Sequence, residues 1–377
     1  MRILHTADWH IGKIVNEFSM LEEQAEVLHR LVDQVKELEV DVLIMAGDLY
    51  DRAVPPKEAV VLATDIFTRL VKEAGIPVLA IAGNHDSNER LEYGAQLLST
   101  SDLHIEGTVK QKVRKVTIKG THFYLLPFGD HVSIRKLLDK EEIRDLQDAT
   151  RVQLDSIQAE MDPEAVNVLI AHGYVVNGGK ESVEDSESER PLSIGTTEYV
   201  DVELFEAFDY VALGHLHKAQ KVKTDRVRYS GSPIKYSKSE ARHKKQHLLV
   251  DLSKESITVE SIPTEPKRDL RILKGHFDEL MQGESEDYIF FELEDKDYVI
   301  DAMNQLRRRY PYAMGLEYLA KKERQSKADS RTHELADRKN VLELFDDFYS
   351  NFKDQPLDDE RRQAVQAIWE TVQKGGE

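Results

Sequence analysis

The 377-residue chain has no cysteine. Disulfides and thiolate-bound metals are therefore excluded, and any metal must be held by nitrogen and oxygen ligands. A chain without cysteine fits a reducing compartment. Long apolar runs are also missing: none reaches the ~20 residues that cross a bilayer, so no membrane association is expected. Strand character begins at Arg2, with no charged and apolar leader ahead of it, so no secretory signal is expected. The expected location is cytoplasmic. Basic charge is scarce, with 51 Lys and Arg against 70 Asp and Glu, a net charge of −19. That balance argues against a free-standing nucleic-acid binder, which is usually basic. An enzyme acting on phosphodiesters stays open, because bound divalent cations can dominate the field of a site.

What the chain does have is one construction repeated five times. Val78 to Ala82 is an apolar run that ends at Gly83 and opens directly into Asn84-His85-Asp86. Arg2 to Ala7 runs into Asp8-Trp9-His10, and Asp41 to Ala46 into Gly47-Asp48-Leu49-Tyr50-Asp51. Asn167 to Ala171 runs into His172-Gly173, and Asp209 to Leu213 into Gly214-His215-Leu216-His217. Each is a buried-strand pattern followed by a small residue and a metal-ligand type. Open α/β sheets place their sites at the carboxyl ends of strands.

Between the first three runs lie helical patterns, Met20 to Leu38 and Lys57 to Ala74, the second stopped by Gly75 and Pro77. The order β, α, β, α, β predicts a parallel sheet covered by helices. From Leu103 the pattern turns hairpin-rich, as an edge of the first sheet or the start of a second. Lys136 to Met161 reads as one helical stretch. Gly178 to Arg190, dense in Glu and Ser, reads as a solvated loop. Gln246 to Asp251 and Ile257 to Ile262 form a hairpin that finishes the β-rich half. Residues 1–263 thus make one large domain. Residues 267–320 read as a small α+β domain, 321–340 as a charged linker, and 341–374 as two amphipathic helices suited to docking on a partner protein.

The ligand candidates are Asp8, His10, Asp48, Asn84, His172, His215 and His217. These are too many for one ion and enough for two that share a carboxylate, with Asp48 as the natural bridge. The donor set suits manganese, iron or zinc. His85 is left to donate a proton or stabilise a leaving oxygen. Asp51 could orient its ring, and Asp86 could do the same for another ligand.

In order and residue type, Asp8-x-His10, Gly47-Asp48-x-x-Asp51, Gly83-Asn84-His85-Asp86, His172 and Gly214-His215-x-His217 resemble the calcineurin-like metallophosphoesterase superfamily. Within it, the start Met1 to Gly12, the segment Tyr229-Ser230-Gly231-Ser232-Pro233 and the tail are similar to the SbcD-type nuclease subunits of bacterial SbcCD complexes. The resemblance implies a four-layer α/β–β/α sandwich, a small α+β DNA-capping domain and C-terminal paired helices that bind an SbcC-type ATPase subunit. It also implies two manganese ions. One would take Asp8, His10, Asp48 and His217, and the other Asp48, Asn84, His172 and His215, with His85 as the catalytic histidine. The implied activity is exonuclease on duplex DNA ends and endonuclease on single strands and hairpins. The implied setting is DNA repair, recombination and replication at the nucleoid, by a homodimer within a heterotetramer. The helices Met20 to Leu38 and Lys57 to Ala74 would build that homodimer. Two other readings compete: a phosphomonoesterase or protein phosphatase of the same superfamily, and a DNA- or ATPase-binding scaffold with an inactive site.

Overall fold

The computed structural model describes residues 1–193, 197–319, 349, 361 and 362. The predicted linker 321–340 and, apart from those three single residues, the predicted helices 341–374 lie outside the described residues. The chain divides into two compact units. The first is Met1–Leu273 with Glu284–Phe290 and Leu306–Gly315. The second is Lys274–Gly283, Phe291–Gln305 and the described residues from Leu316 onward.

Two six-stranded sheets make the body of the first unit. One runs Ile257–Pro263, Gln246–Leu252, Arg2–Thr6, Val42–Ala46, Val78–Ile81, Leu103–Glu106. Its last four strands are parallel, with Ile3 opposite Val42 and Leu43 opposite Val78. The other runs Gln220–Val222, Thr224–Tyr229, Tyr210–Gly214, Asn167–His172, Thr121–Leu126, Arg114–Ile118. Its four inner strands are parallel and both its edges antiparallel.

Alternation along the buried strands sorts the layers. Ile3, Val42, Ile44, Leu79 and Ile81 meet Phe123, Leu125, Val168, Ile170 and Ala212 in one cluster between the sheets. Their neighbours Leu4, Leu43, Met45, Val78 and Ala80 face the other way, onto Leu28, Leu31, Ile66 and Phe67 of the helices Leu21–Glu37 and Lys57–Thr68. On the second sheet, Leu126, Leu169, Val211 and Leu213 pack on Leu154 and Ile157 of the helix Leu146–Gln158. The architecture is therefore helix, sheet, sheet, helix, as the α/β sandwich reading expected.

The stretch from Leu103 divides: Leu103–Glu106 is the edge of the first sheet, and the hairpin Arg114–Ile118 and Thr121–Leu126 lies at the edge of the second. Two expectations need correction. The hairpin Gln246 to Ile262 does not finish the second half; it returns to the first sheet, where Leu248 lies opposite His5 in antiparallel pairing. Lys136 to Met161 is not one helix. His131–Leu138 ends at Asp139 in the left-handed region, φ 53°, and Leu146–Gln158 starts afresh with the Asp145 carboxylate accepting from the Asp148 N–H. Beyond the body, Leu270–Gly275, Tyr288–Leu293 and Ala313–Tyr318 form a three-stranded sheet, with short helices at Phe277–Leu280 and Ala302–Arg307.

Two wholly buried imidazoles sit where the hairpin joins the first sheet. Burial pushes His5 down to about 3 and His247 down to about 4, and neither nitrogen of His247 has a hydrogen-bond partner among the described residues. The unfolded chain takes up these protons near pH 6.5, whereas the folded chain resists until far lower. The unfolded state thus binds more protons in between, and stability falls as pH drops from about 6.5 towards 4. Each group contributes roughly 1.4 kcal/mol per pH unit across its window. The urea midpoint of metal-free protein should therefore be lower at pH 5 than at pH 7. His247→Leu should flatten the dependence by about one proton's worth; an unchanged slope would refute the assignment.

Candidate metal centre

The site forms where the carboxyl ends of both sheets meet, and glycine permits the approach. A Cβ at Gly214 would lie 1.9 Å from the carbonyl oxygen of Ala46, and one at Gly83 2.2 Å from Asp48 Oδ1. Beyond the strand ends the backbone turns sharply. Asp8, His10, Asp48 and His215 all have positive φ, at 54°, 44°, 57° and 108°. Such conformations cost free energy in L-residues and persist only where the surroundings over-determine them.

Among the described residues three groups of side chains come within ligand reach of one another: Asp8, His10 and His217; Asp8, Asp48 and His172; and His10, Asp51 and His85. His10 Nε2 is 3.0 Å from His217 Nε2 and 3.6 Å from Asp48 Oδ2. His172 Nε2 is 3.5 Å from Asp48 Oδ2 and 2.9 Å from Asn84 Oδ1, and His215 Nδ1 is 3.3 Å from the same amide oxygen. All seven ligand candidates are therefore brought to one place. Asp48 lies between the His10 group and the His172 group. His85 Nε2 faces Asp48 Oδ2 at 4.0 Å.

Hydrogen bonds fix which atom each ring offers. His172 Nδ1 lies 2.9 Å from the carbonyl oxygen of Ala46, which leaves Nε2 for a ligand. His85 Nδ1 is held at 2.8 Å by the carbonyl of Asp51, not by its carboxylate. The Asp51 carboxylate instead takes Lys13 Nζ at 2.8 Å. Asp86 braces the turn that carries Asp48: its oxygens accept from the backbone N–H groups of Leu49, Tyr50 and Gly83. Gln24, from the helix Leu21–Glu37, plays the same part for the first loop. Its amide donates to the carbonyls of Trp9 and His10 and its oxygen accepts from the Gly12 N–H.

The loop Gly178 to Arg190 was expected to be merely solvated, and this needs correction. Ser188 Oγ lies 2.8 Å from His217 Nδ1, and Glu189 Oε1 accepts from the His217 N–H at 2.7 Å. Ser188 also donates to Glu240, a wholly buried carboxylate 3.2 Å from His217 Nδ1. Buried Lys245 closes this network through Glu240 and the carbonyl of His217. Glu240, Lys245, Ser188, Glu189 and Gln24 went unnoticed in the sequence, where their charged and polar surroundings look like solvated surface.

The electrostatics call for a cation. Burial, then the charge of Asp48, raise Asp8 well above the usual carboxylate range. The same two causes push Asp86 up to about 7. Burial holds His10 and His215 far below the ordinary imidazole value, so both are neutral and able to ligate. Burial also lowers His85; Asp48 opposes this and the Arg190 charge adds to it. Burial alone would raise Glu240, but Lys245 and His217 hold it well below its ordinary value. Asp8 Oδ2 and His10 Nδ1 are buried with no hydrogen-bond partner among the described residues. Crowded carboxylates, neutral imidazoles and an orphaned carboxylate oxygen together fit divalent cations held by N and O donors.

The family match agrees with this chemistry. Residues 1–219 match the sequence pattern of the calcineurin-like phosphoesterase family. Residues 266–352 match that of the type 5 capsule protein repressor C-terminal domain, SbcD_C. Among solved structures, the protein TT1561 of Thermus thermophilus aligns at TM-score 0.42 with 14% identity, over 69% of this chain and 98% of its own. A dimetal phosphatase from Danio rerio aligns at TM-score 0.44 with 12% identity, over 71% of this chain and 97% of its own.

Asp48→Asn tests the centre. A neutral amide bridges two cations poorly, so metal content after dialysis against manganese should fall from two ions per chain to one or none. Two retained ions would refute the bridge.

Proposed function

The chain belongs to the calcineurin-like phosphoesterase family, a family of metal-dependent hydrolases, and from that premise we propose that it is a two-metal DNA nuclease. On this reading it cuts duplex ends as an exonuclease and single strands or hairpins as an endonuclease. The observation that favours DNA over a small phosphomonoester is the stretch after the hydrolase domain, where residues 266–352 match SbcD_C. A compact phosphatase has no use for it.

In the proposed assignment Asp8, His10, Asp48 and His217 hold one divalent ion, and Asp48, Asn84, His172 and His215 the other. Manganese is the ion that the likeness to SbcD-type subunits favours. Bound there, the cations supply an activated water and neutralise charge on the phosphate. The chain's own residues do the rest. The Asp51 carbonyl fixes the His85 ring so that Nε2 looks towards the bridging carboxylate. From there an imidazolium hands its proton to the leaving oxygen. Burial works against that charged form and the Asp48 carboxylate works for it. The anionic oxygens of an arriving phosphodiester shift the balance further towards protonation.

The partners follow the same reading: a homodimer joined to an SbcC-type ATPase through residues 341–374. On the helices first considered for the dimer contact, Val60 and Val61 are exposed on Lys57–Thr68, while Val27, Leu28, Leu31 and Val32 of Leu21–Glu37 are buried. We expect a chain cut after Leu319 to lose capture of the ATPase while keeping its metals. Undiminished pull-down would give the tail another role.

The decisive experiment compares hairpin DNA, blunt duplex DNA and a chromogenic phosphomonoester in Mn²⁺, using wild type and His85→Gln. Wild type should cleave both DNAs and favour them over the monoester. The variant should keep its metal content and DNA binding but cleave ~10²–10⁴-fold more slowly in a single turnover. Turnover of the monoester alone would make the protein a phosphatase. Near-normal cleavage by the variant would remove His85 from the chemistry, and loss of one ion would make it a ligand.

A further inference from the structure

His217 is held differently from the other imidazoles of the centre. His172 and His85 each place Nδ1 against a backbone carbonyl, that of Ala46 and that of Asp51. His217 places its Nδ1 against side chains from two other segments, Ser188 Oγ at 2.8 Å and Glu240 Oε1 at 3.2 Å. The part each atom plays follows from its neighbours. Lys245 bonds Oε2 of Glu240, and the hydroxyls of Ser186, Ser188 and Ser237 reach Oε1, so the carboxylate accepts throughout. The Ser188 hydroxyl gives its hydrogen to Glu240, which leaves its oxygen to accept from the ring. Both neighbours of Nδ1 are therefore acceptors. Nδ1 carries the ring hydrogen, and Nε2 keeps the free lone pair. That nitrogen is turned into the centre, 3.0 Å from His10 Nε2.

A buried ion pair is a poor way to gain stability, because desolvating both charges offsets their attraction and an apolar pair of similar size often does as well. Glu240 and Lys245 are nevertheless buried together, against the ring and the carbonyl of His217. What the pair supplies there is direction, a fixed acceptor behind the ring. The other acceptor, Ser188, comes from the acidic loop, and that loop is tied down along its length. Glu184 takes Lys218 and His243, and the Glu187 N–H donates to Ser239 Oγ at 3.0 Å. Glu189 Oε1 accepts from the His217 N–H. Each of these anchors lies at His217 and Lys218 or in the segment 237–245 that carries Glu240. The loop thus docks on the ligand and on the groups that orient it.

We propose that Ser188 and Glu240 are positioning residues for His217, and that the loop 184–189 is a clasp whose docking and the binding of the ion at Asp8, His10 and His217 favour one another. Undocking removes the nearer acceptor and frees the ring to turn, which weakens the ligand. The ion, by holding the ring, restores the surface on which Ser188 docks. Coupling between two such events is reciprocal by thermodynamic necessity. The proposal rests on the assignment of His217 to one of two ions and is independent of the choice of DNA as substrate.

The test titrates metal-free full-length protein with Mn²⁺, reading free Mn²⁺ by electron paramagnetic resonance, and follows hydrogen exchange of the amides 184–189. Ser188→Ala removes the loop's hydroxyl and leaves the buried pair intact. Glu240→Ala/Lys245→Met removes the carboxylate together with the cation it would leave unpaired. Thermal unfolding in EDTA shows whether each variant is folded, and Ser188→Ala decides if the double variant is not. Each folded variant should bind one of the two ions ~10–100-fold more weakly. Ser188→Thr, which keeps the hydroxyl, should bind both as wild type does; a loss equal to that of Ser188→Ala would overturn the hydroxyl's role. In wild type, Mn²⁺ should slow exchange of the loop about tenfold, and less in Ser188→Ala. Exchange that ignores Mn²⁺ would overturn the coupling. His217→Ala should lose one ion outright. If it does, and Ser188→Ala keeps wild-type affinity, the proposal fails alone; if His217→Ala keeps both ions, the ligand assignment fails and the proposal with it.

Discussion

Two carboxylates, Asp8 and Asp48, are buried side by side with four neutral or ligand-type imidazoles around them. In a pocket of low dielectric, such a pair repels far more strongly than it would in water. Among the described residues Asp8 Oδ2 has no hydrogen-bond partner, while the other oxygen of that carboxylate accepts from the His215 N–H. His10 Nδ1 is left in the same state, so both gaps fall on ligand candidates. The gap at Asp8 is one a divalent ion fills, and the surrounding architecture keeps it open. Left to relax, the carboxylates would separate or draw in water. The two sheets prevent this because their strand ends are locked by pairing, with Gly214 opposite His172 in one sheet and Ala46 opposite Ile81 in the other.

Keeping the centre open costs backbone strain, and the strain falls on the ligands themselves. Asp8, His10, Asp48 and His215 adopt positive φ, a region that costs an L-residue of order 1 kcal/mol or more. Each of the loops that carry them is tied down by groups that take no part in ligation. Asp86 bonds three backbone N–H groups around Asp48, Gln24 bonds both sides of His10, and the His217 main chain is held by Glu189 and Lys245. Ligand geometry is thus set by a ring of carboxylates, amides and one lysine behind the ligands. Asp86 shows how tightly the two layers are coupled, since it is pushed up to about 7 partly by the charge of the Asp48 it supports.

The ligands and the layers were legible in the sequence because both are local patterns. A strand fully buried on both faces is a run of aliphatic residues, and a ligand at its end is a polar residue after a small one. What was not legible depended on contacts distant in the chain. Ser188 and Glu240 are 52 positions apart, and each sits among charged residues that look like solvated surface. The break between His131–Leu138 and Leu146–Gln158 was hidden for a different reason. Ile143, in the connecting loop, is fully buried, so apolar residues continue across the gap and the helical pattern looks unbroken. The hairpin Gln246 to Ile262 reads correctly as a hairpin, but nothing in its own residues says which sheet it joins. That choice is made by Arg2–Thr6, at the far end of the chain, which leaves one edge of the first sheet to be covered.

The proposed nuclease reading has to be reconciled with the net charge of −19. An acidic protein repels DNA at long range, so attraction must come from local reversals of sign. Divalent ions in the centre would add positive charge where the field is most negative. The fixed cations close by are largely neutralised: Lys13 is paired with Asp51, Lys218 with Glu184 and Lys245 with Glu240. Arg190 is not. It is exposed and has no ion pair among the described residues, yet its charge reaches His85. It follows two residues, Ser188 and Glu189, that anchor the loop to His217. The acidic loop therefore places one uncompensated guanidinium beside the centre. On the proposed reading most of the attraction for phosphate would fall to the metal ions, so binding as well as chemistry would depend on metal loading.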